Sequence, residues 1–230
     1  MKIHDVAQGS VEWMQMRAGI ATASEFDCLV TPEFKVRTGD MPKSYLAKKL
    51  AEAWLGGPLL GFNMFDMDQG QILEGEAIPW YELEYGQEVQ RVGLVTTDDG
   101  RVGCSPDGLL KGSGLEIKCP RPETHTGYLL KGVLPKDYAA QVHGGMYVTG
   151  FHSWTFLSYR RRFPPLLLTI ERDDEIQKAI GEALASFLEA FDAGWQKLCE
   201  INGGPPVRRP VQIVMPGEKP AFIDPDDYRV

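Results

Sequence analysis

Asp107 is followed, after eight residues, by Glu116-Ile117-Lys118. Two carboxylates and an amine at this spacing could act together. In a strand, successive side chains point to opposite faces. Leu115 and Ile117 would then enter the core, while Glu116 and Lys118 stand side by side on the other face. Asp107, at the end of the preceding strand, can return against them across a hairpin. Mg²⁺ takes hard oxygen ligands in an octahedron and keeps several waters. Asp107 and Glu116 each offer an oxygen, and the Ile117 carbonyl offers a third. Water on such an ion is more acidic than bulk water and becomes a nucleophile. Lys118 could orient that water, help to deprotonate it, or stabilise a pentavalent phosphate. The chemistry expected of this set is metal-assisted phosphodiester hydrolysis. Each part also has a structural reading. Ser105-Pro106-Asp107-Gly108 is a favourable β-turn, and Glu116 with Lys118 could be an i, i+2 ion pair on a strand surface.

The elements that must position these residues follow from patterning. Residues 11–17 predict a short helix, and Thr22 or Ser24 can cap the next, with Phe26, Leu29 and Val30 facing inward. Residues 31–42 read as a loop. Residues 44–55 read as a helix, with Leu46, Leu50, Ala53 and Trp54 at helical spacing, ended by Gly56-Gly57-Pro58. After a loop over 61–68, a helix is expected over 69–85, kinked or interrupted at Pro79. The period then changes to two. Strands over 89–96, 101–105 and 115–118, joined by turns at Thr97-Asp98-Asp99-Gly100 and Pro106-Asp107-Gly108, predict a β-meander. A helix over 136–148 and strands over 152–159 and 166–171 follow. The apolar stripe Ile176, Ile180, Leu184, Phe187, Phe191, Trp195 and Leu198 marks a long amphipathic helix. The expected fold is α/β, a mixed central sheet flanked by helices, in a single nuclease domain over 1–202 with a metal-binding core at about 69–171. Residues 203–230 form a Pro-rich C-terminal tail.

A chain of 230 residues suits one such domain. The net charge of −8 argues against a protein that coats itself in nucleic acid, but metal-holding carboxylates add negative charge and basic residues need only line one channel. Cys28, Cys104, Cys119 and Cys199 form no C-x-x-C pair, which indicates neither a zinc site nor a disulfide framework. His4, His125, His143 and His152 share no metal-ligand spacing. Arg160-Arg161-Arg162 reads as a solvated hairpin tip that could touch DNA phosphates. No window holds the ~20 apolar residues of a membrane span, and the N-terminus lacks the apolar run of a signal peptide. The expectation is a cytoplasmic protein with no membrane partner.

Asp-x(8)-Glu-Ile-Lys, with Pro106 before Asp107, resembles the PD-(D/E)-x-K nuclease motif. Further segments extend the likeness. They are Trp13…Met16-Arg17-x-Gly19-Ile20-x-Thr22-Ala23-Ser24-Glu25, Gly70-x-x-x-Glu74, Cys104-Ser105-Pro106-Asp107-Gly108-Leu109, Gly114-Leu115-Glu116-Ile117-Lys118-Cys119-Pro120, Tyr138-x-Ala140-Gln141-Val142 and Met146-Tyr147-Val148-Thr149. In this order, over about residues 10–173, they resemble the lambda exonuclease and YqaJ-type viral recombinase family.

The resemblance implies a restriction-endonuclease-like core. Asp107, Glu116 and the Ile117 carbonyl would bind the catalytic metal, Glu74 would add a second metal site, and Lys118 would act on the attacking water. Arg17, Ser24, Ser105 and Gln141 would receive the 5′-phosphate of a DNA end. It implies a Mg²⁺-dependent 5′-to-3′ exonuclease on double-stranded DNA ends that leaves a 3′ overhang. Such an enzyme would work as a ring-shaped homotrimer with a single-strand annealing protein. Mn²⁺ would substitute for Mg²⁺, and Ca²⁺ would bind without turnover. Two other readings stay open: a site-specific endonuclease with the same metal motif, and an inactive DNA-end-binding protein.

Overall fold

The computed structural model describes residues 1–59 and 67–207, and for residues 67–74 the backbone alone. Strand β1 (Lys2–His4) is followed by helix α1 (Val11–Arg17), which begins where Ser10 Oγ accepts from the Trp13 N–H at 3.2 Å. Strand β2 (Ala21–Thr22) runs into a 3-10 helix (Ala23–Cys28) whose Phe26 is buried, with Leu29 and Val30 just beyond it also in the core. Thr22 takes the cap position without a side-chain cap bond. Helix α2 (Asp40–Leu55) starts earlier than its apolar spacing implies. Pro42 is tolerated because a first-turn N–H has no helical partner to lose. Gly56, at φ +73, ends it in the left-handed conformation that glycine adopts without strain.

Helix α3 (Met67–Tyr85) runs through Pro79 rather than stopping there. Ala77, Ile78 and Tyr81 on either side of the proline are buried with Leu115, Ile117 and Leu157, so packing outweighs one missing hydrogen bond. Next come β3 (Leu94–Thr96), β4 (Val102–Cys104), β5 (Gly108–Leu110) and β6 (Ser113–Lys118). Helices α4 (Pro122–Lys131) and α5 (Lys136–Thr149) lead to β7 (Ser153–Ser158) and β8 (Leu166–Glu171). Helix α6 (Asp174–Asn202) is capped by Asp173, whose carboxylate accepts from Glu175 N and Ile176 N.

The class is mixed α/β, with strands in two four-stranded ladders, β1-β3-β4-β2 and β5-β6-β7-β8. Each combines antiparallel pairs with one parallel pair, β2–β4 and β6–β7. The simple meander does not form. Residues 89–96, one strand by alternation, divide: Leu94–Thr96 pairs with β1 and β4, while Gln90 exchanges backbone bonds with Leu109 of β5 at 2.8 and 2.9 Å. Close backbone approach sets the division. A Cβ on Gly93 would lie 1.9 Å from the Val6 carbonyl oxygen, and one on Gly108 would lie 2.1 Å from a Val89 methyl. The turn Ser105-Pro106-Asp107 is therefore the joint where the chain passes from the first ladder to the second.

Helices cover both faces of the second ladder. On one face, α5 joins a core of Phe26, Val142, Met146, Trp154 and Phe156, closed by Ile180, Leu184 and Phe187 of α6. On the other, α3 packs over Leu115, Ile117 and Leu157, all fully buried. Burying a side chain of this size contributes about 1.5–3 kcal/mol. The alternation in β6 thus has a specific meaning: Ile117 faces α3 and Glu116 faces α5. No helix among the described residues is long and apolar enough to cross a membrane, and all four cysteines are unbridged.

Candidate active site

The β5–β6 hairpin folds Asp107 onto β6. The Asp107 N–H donates to the Leu115 carbonyl at 3.1 Å, and the Ile117 N–H donates to Asp107 Oδ2 at 2.5 Å. A strand residue presents its N–H and C=O to the same edge. Ile117 uses its N–H for Asp107, the residue just before β5, so its carbonyl is directed to that edge as well.

Glu116 projects to the opposite face from Leu115 and Ile117 and is almost fully buried, at 3% exposure. Its Oε1 accepts from Lys118 Nζ and from Gln141 Nε2 of α5, both at 2.5 Å. The Lys118 ammonium lies 5.1 Å from the centre of the Tyr138 ring. Tyr138 and Gln141 share one face of α5 by i, i+3 spacing. Burial raises the Glu116 carboxyl pKa above its ordinary value, against the opposing pull of Lys118 and Gln141. Burial pulls Lys118 down, but the Glu116 and Asp107 carboxylates more than offset it and hold the ammonium protonated.

Two carboxylates and a backbone oxygen are hard donors. A buried carboxylate that desolvation makes reluctant to ionise is one that a divalent cation would compensate. The residues therefore fit a Mg²⁺-class ion that keeps several waters. Among the described residues no three His, Cys, Asp or Glu side chains converge. Glu74 has its backbone in α3, but its side chain lies outside the described residues. A cleft of about 490 Å³ opens beside Asp107, lined by Asp5, Gln8, Arg91 and Ile78 among others.

Arg17, Ser24 and Ser105 also come together. Arg17 Nη1 donates to Ser105 Oγ at 2.8 Å, and Nη2 to Ser24 Oγ at 3.1 Å and Thr22 Oγ1 at 3.4 Å. The guanidinium carbon stands 4.4 Å from the centre of the Trp13 ring. The indole N–H donates to Ser105 Oγ at 3.1 Å and the Gly93 carbonyl at 2.8 Å. Burial lowers the Arg17 pKa, with Glu25 acting against it. Gln141 does not join this group; it sits on Glu116. The two clusters meet at β4, where the buried Cys104 next to Ser105 feels both the Glu116 carboxylate and the Arg17 cation.

Several residues here carry no role in the sequence reading. Gln8 Nε2 donates to the Pro106 carbonyl at 2.8 Å and to that of Val92 at 3.0 Å, clamping the peptide before Asp107. Trp13 and Tyr138 each lie under a cation of the site; the Trp13–Arg17 spacing of i, i+4 was the available signal. Arg161 of the basic run pairs with Glu76 on α3. The histidines separate: His4 bonds Thr96, whereas His125 is buried between Ser158 Oγ and the Pro164 carbonyl.

The chain is similar to LHK-Exo, an alkaline exonuclease from Laribacter hongkongensis. The identity is 28% and the TM-score 0.75 against its complex with dAMP, over 84% of this chain and 98% of that one. A second LHK-Exo structure aligns at TM-score 0.69 with 28% identity, over 84% of this chain and 100% of that one. A phage-related exonuclease from Haemophilus somnus shares the fold at TM-score 0.59 and 14% identity, over 78% and 96% of the two chains. The comparison with curated proteins returns no match. The hairpin that joins Asp107 to Glu116 and Lys118 belongs to a fold like that of PD-(D/E)xK nucleases. Residues 12–152 match the YqaJ-like viral recombinase domain, and the chain belongs to that family.

Proposed function

We propose that this protein is a divalent-metal-dependent exonuclease that shortens the 5′-ended strand of duplex DNA to nucleotides and leaves a 3′ overhang. The observation that carries the reading is the hydrogen bond from Ile117 N–H to Asp107, which holds Asp107 against the strand that carries Glu116 and Lys118. The similarity to an alkaline exonuclease crystallised with dAMP supports it.

A divalent ion at Asp107, Glu116 and the Ile117 carbonyl would supply a Lewis acid that makes bound water nucleophilic. Lys118, held protonated beside Glu116, donates to oxygens that gain charge as the phosphodiester is attacked. Gln141 fixes Glu116 Oε1, a task nearer the metal ligands than the phosphate contact the resemblance implies. Glu74 is assigned to a second ion by the resemblance, which makes this a two-metal mechanism. The fork of Arg17 with the hydroxyls of Ser24 and Ser105 supplies donors for a terminal 5′-phosphate. Ser105 lies two residues before Asp107, so a phosphate held there sets which bond reaches the metal.

Incubation of linear duplex, closed circular and single-stranded DNA with Mg²⁺ tests the reading. Digestion of the linear duplex with the closed circle left intact is expected. Cutting of the circle favours the site-specific endonuclease. No cleavage of any substrate, with linear ends still bound, favours the inactive end-binding protein.

The same reading includes a cytoplasmic homotrimeric ring around DNA and a single-strand annealing partner. Sedimentation at micromolar concentration checks the ring, and a monomer alone contradicts it.

A further inference from the structure

Behind Arg17 lies a buried set of charges that the chemistry above does not use. Lys49 is almost fully buried, at 3% exposure, between two carboxylates: its Nζ is 3.1 Å from Glu25 Oε2 and 3.0 Å from Glu52 Oε2. A buried lysine is held by such partners or not at all. Glu52 Oε2 also accepts from the Gly19 N–H at 3.0 Å, and Glu25 Oε2 accepts from Thr22 Oγ1 at 3.4 Å. Thr22 Oγ1 in turn accepts from Arg17 Nη2. Gly19 is two residues from Arg17, so these contacts close a ring that leaves Arg17 through its side chain and returns through its backbone.

Helix α2 is the fixed part of this ring. It contributes Lys49 and Glu52, and also Tyr45, whose hydroxyl accepts from the Thr22 N–H at 3.3 Å. It is backed by α6 through Tyr45 on Phe187 and Trp54 on Trp195. The chain after Arg17 lies directly on it: a Cβ on Gly19 would stand 2.8 Å from Ala53 Cβ. Helix α1, with only seven residues, is too short to hold its last side chain in place unaided. Lys48 adds a further bond to Glu25 Oε1 at 2.5 Å. Glu25 and Glu52 against Lys48, Lys49 and Arg17 leave one positive charge in surplus, the sign an anion pocket needs.

We infer that Lys49 is a positioning residue: by joining Glu25 to Glu52 it fixes the aim of the Arg17 guanidinium at a DNA 5′-phosphate, an inference that rests on the pocket proposed above. Lys49 touches neither DNA nor metal in this scheme. Its loss frees Arg17 to turn toward Glu25 or Glu52 and removes the surplus charge.

The test compares cleavage rates on linear duplexes with 5′-phosphate or 5′-hydroxyl ends for wild type, Lys49→Met, Arg17→Ala and the double variant. Lys49→Met is expected to shrink the preference for 5′-phosphate about tenfold, the loss produced by misaiming one charge-assisted hydrogen bond. In an Arg17→Ala background it should change the preference no further, because both act through one guanidinium. A merely structural role would slow both ends alike. Lys49→Met strands two carboxylates, so Lys49→Met/Glu52→Gln, which deletes one charge of each sign, serves if the single variant does not fold and should lose the preference in the same way. A preference kept by the folded variant, or effects of Lys49 and Arg17 that simply multiply, overturns the inference while leaving the pocket standing. A wild type indifferent to the 5′-phosphate overturns the pocket and the inference together.

Discussion

The Ile117 N–H donates to Asp107 Oδ2 at 2.5 Å, so the strand that carries Glu116 and Lys118 also holds the aspartate. With the β5–β6 ladder already joining the two arms of the hairpin, this bond fixes the Asp107 side chain against β6. Asp107→Asn keeps an acceptor for that N–H but removes the negative charge. It should reduce cleavage at least ~100-fold, as should Glu116→Ala and Lys118→Ala, with folding and DNA binding retained. Single-turnover rates on a linear duplex measure this. Near-normal hydrolysis by folded Asp107→Asn would remove Asp107 from the metal site.

Calcium should support DNA binding and not cleavage. It accepts the same oxygen donors as Mg²⁺ at longer distances and with looser geometry, which positions the attacking water poorly. Gel-shift and cleavage assays run in parallel with each ion give the comparison, and efficient turnover in Ca²⁺ alone would contradict the assignment.

Arg17→Ala should slow digestion of 5′-phosphorylated ends far more than of 5′-hydroxyl ends. It removes a fork that already bonds Ser105 and Ser24 and whose charge-assisted bonds to phosphate are each worth ~1.5–3 kcal/mol. Labelling each end of a duplex in turn reads both preference and polarity. Release from 3′ ends first would refute the 5′-to-3′ direction.

Stability should fall in two steps on acidification. His143 is buried edge-on to Phe34, with its Nδ1 unpartnered. Burial lowers its pKa below the ordinary 6.5, and Asp173 opposes this only in part. The fold therefore keeps His143 neutral while the unfolded chain protonates it. This stability is present above pH 6.5 and is lost as pH falls through that value. Glu25 follows at lower pH. Burial would raise its carboxyl, but Lys49 and Lys48 carry it below the ordinary 4.5, so its contribution is lost only beneath that. Thermal melts between pH 8 and 5 should show wild type losing stability relative to His143→Leu as pH falls, because only the wild type carries the cost of protonating a buried imidazole. Parallel curves would show that His143 does not titrate with unfolding.

Much of this protein was legible locally. Helix α1, strand β8 and the stripe of α6 follow from periodicity and capping within each segment, because each buries a single face. The same holds for Asp107 and the Glu116-Ile117-Lys118 strand, where alternation over a few residues separates core from site. What periodicity cannot carry is the identity of a distant partner. Residues 89–96 alternate as one strand, yet the approach of Val6 at Gly93 and of Val89 at Gly108 divides them between two ladders. Helix α3 passes through Pro79 because Leu115, Ile117 and Leu157 cover it. Short β1 and polar α4 carry too little apolar pattern to announce themselves. Gln141 was visible as a polar residue on a helix, but its bond to Glu116 depends on α5 lying over that face of β6. The ring from Arg17 through Glu25, Lys49 and Glu52 joins residues up to 35 positions apart. Along the chain, Lys49 and Glu52 are only two charges off the apolar positions of the helix over 44–55. Only the packing of α2 beneath Gly19 buries them, and burial is what converts scattered charges into partners.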